Sequence, residues 1–203
     1  MGVHVTYHHG NLRKELLDRA AIVIADQGID ALSLRALARD LGVSHAAPSR
    51  HFKDRATLLA ALATEGHQRL TDALNTAADA VGDDPVARYN ALGCEVIRFA
   101  LRNPAYFSAI HHPEVQRHSA RALEEARVAY GETVRAAAAA AQAAGWHPDE
   151  DLETLVIFSS ATALGAANML IDDHADAHLT EAELNDLAAK IIRRVIPAST
   201  KEL

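Results

Sequence analysis

Ser33-Leu-Arg-Ala-Leu-Ala-Arg-Asp-Leu-Gly-Val-Ser44-His-Ala-Ala-Pro-Ser-Arg-His-Phe52 reads as two short helices meeting at a sharp turn. Ser33 is an N-cap candidate, and Leu34, Leu37, Ala38 and Leu41 keep the i, i+3, i+4, i+7 spacing of one buried helix face. Gly42 supplies the permissive backbone that an abrupt helix stop needs. Val43 can plug the corner, and Ser44 can cap a second helix over about 44–52. That is the outline of a helix-turn-helix, whose second helix offers its first turns to the major groove of DNA. Left for solvent or a partner are Arg35, Arg39, His45, Ala46, Ser49 and Arg50, with Lys53 and Arg55 just beyond.

Working outward, an amphipathic helix is expected over about 11–27, with Leu12, Leu16, Leu17, Ala20, Ile24 and Ala25 on one face and Gly28 as its stop. Another opens at Phe52-Lys-Asp-Arg-Ala-Thr-Leu58-Leu59 and runs to about Ala80. The Leu-Arg-x-Leu-Ala run at 34–38, Leu41-Gly42-Val43-Ser44, Arg50-His51-Phe52 and Asp54-Arg55 before Leu58-Leu59 together resemble the DNA-binding domain of TetR/AcrR-type transcriptional regulators. The opening Tyr7-His8-His9-Gly10-Asn11-Leu12 and the pair Ala47-Pro48 are similar to one branch of that family, whose C-terminal domain is named for a Trp/His-Gly motif. Of that motif Gly165 is retained, with Ser160 and Leu164 where the Trp and His would stand.

Punctuation along the rest of the chain points to an all-α protein of about nine helices. Asp84-Pro85 opens a helix to about Arg102, and Asn103-Pro104 opens a short one to about His111. His112-Pro113 breaks the chain before a long helix to Ala144. Gly145-Trp146-His147-Pro148 is a turn, and a helix over about 149–172 precedes a polar loop. Thr180-Glu-Ala-Glu183 is a capping box for the last helix, which carries Leu184, Leu187, Ala188, Ile191, Ile192, Val195 and Ile196 as an apolar stripe. The helix before it offers Leu155, Val156, Ala161, Leu164, Gly165, Asn168 and Ile171. Two such helices from each of two subunits can form a four-helix interface, with Gly165 allowing close approach; the alternative is that both stripes are internal core. Leu164, Gly165, Leu184, Leu187, Ile191 and Val195 are the dimerisation candidates.

The resemblance implies a helix-turn-helix domain over 10–70, with the motif at 33–52, and a helical ligand-sensing and dimerisation domain over 81–203. It implies a homodimeric repressor whose recognition helices, roughly 34–36 Å apart, read a pseudo-palindromic operator in double-stranded DNA and are released by a small-molecule effector. The DNA-contact candidates are Arg35, Ser44, His45, Ala46, Ser49, Arg50, Lys53 and Arg55. His45, Ala46 and Ser49 are placed for base edges and Arg35, Lys53 and Arg55 for phosphates. Arg50 could instead pack against the first helix, and for His51 packing is the favoured reading. Pro48 removes a backbone donor early in the recognition helix, and Ser49 stands where the similar branch carries a phosphate-contacting tyrosine. For the effector, the aromatics Tyr89, Phe99, Tyr106, Phe107, Tyr130, Trp146 and Phe158 are candidate lining residues, as ordinary core aromatics would also be. Cys94, Arg98, His111 and Asn168 are candidate polar members.

Composition is consistent with that division. The net charge is −7, yet residues 1–60 hold eight Lys/Arg against six Asp/Glu, while 61–203 hold twelve against twenty-one. A basic end on an acidic body suits docking to phosphate at one end only. Cys94 is the single cysteine, so neither an intrachain disulfide nor a thiolate cluster can form. The first ten residues have no apolar run of a signal peptide, and the uncharged window 155–171 reads as a helix buried in a bundle rather than a membrane span. A cytoplasmic protein follows from that reading. His111, His112 and His118 lie close in sequence and His8-His9 form a pair, but adjacent helical histidines point about 100° apart, and no metal site or cofactor is expected. No nucleophile elbow, phosphate loop or metal-protease motif argues for an enzyme. The competing reading is a helical dimer with degraded DNA binding that acts through protein partners.

Overall fold

The computed structural model describes residues 11–174 and 180–199. The opening at 7–10, with the His8-His9 pair, and the polar loop at 175–179 lie outside the described residues. Those described form nine α-helices: α1 Leu12–Gln27, α2 Leu34–Asp40, α3 Arg55–Asp79, α4 Pro85–Arg102, α5 Pro104–His111, α6 Pro113–Gln116, α7 Arg121–Ala143, α8 Leu152–His174 and α9 Glu181–Ile192. The count matches expectation but its make-up does not. The segment at 44–52 is not an α-helix, and the long helix expected after Pro113 is split into α6 and α7. His118 explains the split: its ring accepts the Ala120 N–H at 3.2 Å, drawing the chain out of helical register.

Local chemistry sets most of the ends. The Asp84 carboxylate accepts from Val86 and Ala87 N–H groups ahead of Pro85, and Thr180 and Glu183 close the expected capping box. Asn103 differs: its side-chain amide donates back to the Phe99 carbonyl at the end of α4. On α1, Ala25 is exposed and Val23 takes its place in the buried face.

The spine is α3. Its first turns bury Leu58, Leu59 and Leu62 beside α1, and its later turns bury Leu70 and Leu74 among α4, α5 and α7. The helix runs unbroken through residue 70, where the first domain was expected to end, and the larger of two apolar clusters extends from Leu16 to Ile196. Each fully buried leucine contributes about 1.5–3 kcal/mol, so α3 is held firmly in both halves of the fold. At the far end α9 lies on α4 so closely that a Cβ on Gly93 would sit 3.0 Å from Ile192. Leu184, Ala188 and Ile192 form the buried face of α9.

Candidate nucleic-acid interface and effector pocket

The first half of the motif folds as its sequence dictates. The Ser33 hydroxyl accepts the Ala36 N–H at 3.1 Å, and Leu37 and Ala38 are buried. Gly42, at φ +67°, ends the helix. Its N–H bonds the Arg39 carbonyl and the Val43 N–H bonds that of Ala38, which is the paired closure of a Schellman turn. Asp40 accepts two hydrogen bonds from Arg19, clamping α2 to α1.

The second half corrects the expected recognition helix. From Ser44 the chain makes i→i+3 closures, Ala47 N–H to Ser44 and His51 N–H to Pro48, and Pro48–Arg50 is a single 3-10 turn. Pro48 is the cause: it has no N–H to donate to the Ser44 carbonyl, and its ring crowds that carbonyl. Pro48 itself is buried beneath the turn, and Phe52 anchors the end, 1% exposed beneath the Arg13 guanidinium.

Arg35, Ser44, His45, Ala46, Ser49, Arg50 and Lys53 are all exposed. His51 is exposed too, and borders Arg13 and Leu17 of α1 in a shared surface groove. Arg55 departs furthest. Its guanidinium donates to the carbonyls of Ile29 and Leu32 and, at 2.8 Å, to the Glu114 carboxylate on α6. It is engaged inside the fold, not presented beside the other cations.

Most effector candidates are absorbed by structure. Trp146 is 1% exposed, donates to the Val195 carbonyl and meets Tyr89 edge-on. Tyr106 donates to Glu65 and lies under Arg69. Arg98 pairs with Glu95, and Phe107 packs with Ala100 and Ala167. Phe99 is buried core, and burial pushes the Cys94 thiol pKa up. Asn168 is exposed and bonds its own helix. None of these lines the pocket of 180 Å³ found between α3, α5, α6, α7 and α8; His111 and Tyr130 do.

Sequence reasoning missed Gln116, Arg127 and, above all, His67 there. It is 6% exposed, stands 5.7 Å ring-to-ring from Tyr130, and neither ring nitrogen has a hydrogen-bond partner. Burial, then the charges of Arg127 and His111, push its pKa down from 6.5 to about 4. Burial lowers that of His111 as well, against the bond its Nδ1 makes to the Phe107 carbonyl. Burial likewise raises Tyr130 to about 12. A lone histidine on a leucine-rich face gives no sequence signal that distinguishes it from a satisfied one. The other histidines weighed as ligands cap backbone: His112 accepts from Glu114 N–H and His118 from Ala120 N–H.

The surface of α8 also departs from expectation. By length and composition it is apolar enough to cross a membrane, with a mean hydropathy of 1.6, yet only 22% of that stretch is buried. Ile157, Phe158 and Met169 are 66%, 59% and 69% exposed, and nothing lies within 4 Å of a Cβ placed on Gly165. Of the dimerisation candidates Gly165 is open. Leu164, Leu187, Ile191 and Val195 are half-buried, and Leu184 is buried within the fold.

A family profile described as bacterial regulatory proteins of the tetR family matches residues 16–62, and one described as a tetracyclin repressor-like C-terminal domain matches 89–195. A solved protein of unknown function from Rhodococcus sp. RHA1 is 35% identical, with a TM-score of 0.76 over 95% of this chain and 99% of its own. The TetR-family regulator PfmR from Thermus thermophilus is 19% identical, with a TM-score of 0.69 over 89% and 96%. AibR, solved with isovaleryl coenzyme A and operator DNA, is 17% identical, with a TM-score of 0.71 over 91% and 98%. No protein of curated function matches the chain.

Proposed function

The chain belongs to the TetR family of bacterial regulatory proteins, and on that premise we propose that it is a cytoplasmic transcriptional repressor, binding a pseudo-palindromic operator as a homodimer and released by a small molecule. In this reading residues 10–70 hold the DNA and residues 81–203 dimerise and sense the effector. The observation that carries it is the exposed set Arg35, Ser44, His45, Ala46, Ser49, Arg50 and Lys53 around a properly capped turn. His45, Ala46 and Ser49 meet base edges; Arg35 and Lys53 meet phosphates. The uncovered apolar face of α8 supports pairing of two copies, which a two-fold operator requires. AibR, a neighbour in fold, is known with both isovaleryl coenzyme A and operator DNA in one structure.

Fluorescence anisotropy with DNA from the protein's own upstream region, at two salt concentrations and against a scrambled duplex, tests this reading. A salt-resistant preference saturating at two subunits per site is the expected result. Equal, salt-sensitive binding to both duplexes would favour the second reading, a helical dimer with degraded DNA recognition that acts through protein partners. The 3-10 turn imposed by Pro48 is the feature that favours it.

A further inference from the structure

We propose that the pocket around His67 and Arg127 is a binding site for a small organic carboxylate, a single ring or a short chain. This rests on the effector-responsive reading above and names the class of effector. His67 is the first argument. A buried imidazole offers one donor and one acceptor, and a protein that leaves both unpaired forgoes about 1–3 kcal/mol for each group. Such atoms are paired when a ligand arrives.

Charge is the second argument. Arg127 is the permanent charge among the pocket's lining residues, which include no carboxylate. Its Nη2 donates to the Val115 carbonyl at 2.5 Å, and Glu124, 3.6 Å from Nη1, is 66% exposed. A guanidinium so held keeps free donors in the fork geometry that matches a carboxylate. An amine would be repelled there, and an amide would bring no charge to pair with the guanidinium. Leu70, Ile110 and Leu164 supply an apolar wall for the ligand's body. The volume of 180 Å³ lies below the roughly 300–1,000 Å³ of drug-sized sites and matches a single ring or a short chain.

The test is calorimetric titration of the full chain, without DNA, with straight-chain carboxylates from propionate to octanoate and with benzoate, each beside its amide and its amine. At least one carboxylate is expected to bind ten-fold or more tighter than its amide, with no binding of the amine. Arg127→Gln should erase that preference, and Arg127→Lys should retain part of it. In the wild-type protein, ring signals of ¹⁵N-labelled His67 and His111 should shift on saturation while those of exposed His45 stay fixed; this arm needs no variant to fold. Equal binding of acid and amide, a preference that survives Arg127→Gln, or no binding by any carboxylate overturns the proposal. Binding that leaves operator affinity unchanged would refute effector release while sparing the site.

Discussion

Ser49 is exposed on the turn that faces DNA in our reading, one residue beyond the buried Pro48. A tyrosine there could reach a phosphate, so Ser49→Tyr is expected to tighten binding to operator and scrambled duplex alike, by about three- to ten-fold for one added bond of about 1 kcal/mol. A gain confined to the operator would show that residue 49 reads bases instead. His67 makes a different prediction. Held near pKa 4 in the fold and near 6.5 when unfolded, it favours the native state fully above pH 6.5. As pH falls from there toward 4 the unfolded chain takes up the proton first, and about 3 kcal/mol of stability is lost. His111, shifted the same way by burial, adds to that slope. Urea titrations between pH 4 and 7 should show this acid limb, flattened in His67→Leu. At pH 7 that substitution should stabilise by about 1–2 kcal/mol, since it removes two unpaired buried polar atoms. Destabilisation would mean that something already satisfies the ring.

Two elements carry their own tests. Pro48→Ala supplies an N–H that can replace that of Ala47 on the Ser44 carbonyl in an i→i+4 bond, and residues 44–52 should then adopt helical Cα chemical shifts. The lost ring packing limits the net stability change to about 1 kcal/mol. Unchanged shifts would place the cause of the 3-10 turn outside Pro48. Along α8, Ile157 and Phe158 are exposed large apolar side chains on a helix whose other face is anchored by the Tyr89 hydroxyl donating to buried Ser159. Phe158→Glu should turn a dimer into a monomer in sedimentation equilibrium while leaving the monomer folded. Operator affinity should fall with it, because each half-site then binds alone. A dimer that persists would move the interface elsewhere. Helix periodicity marks α8 as apolar, but its hydropathy is so uniform that no face stands out as the inner one.

Across the whole molecule, the pocket and the helix-turn-helix are joined by a short chain of contacts. Arg127 holds the carbonyl of Val115, and the adjacent Glu114 holds Arg55, whose other donors fix the Ile29 and Leu32 carbonyls just before α2. Glu114→Gln should leave carboxylate binding intact but reduce the change in operator affinity that the ligand causes. Arg55→Ala should destabilise by about 1–3 kcal/mol without altering the salt slope of DNA binding, since it removes internal bonds and no phosphate contact. A slope shallower by about one unit would return Arg55 to the DNA surface. The helix order, the capped turn at Ser33 and Gly42, the openings at Pro85 and Thr180 and the family resemblance were legible in the sequence. All of these rest on period, caps and backbone freedom, which act over about four residues. The break of the motif's second helix was half legible, since Pro48 was visible but the extent of its effect was not. Tertiary structure alone decided that Arg55 turns inward to a partner 59 residues away, that Leu184 is buried, and that Trp146 and Tyr106 bond to Val195 and Glu65. It alone left His67 unpaired beside Arg127. Which polar groups end up satisfied depends on where distant helices bring their donors and acceptors, and no local pattern records that.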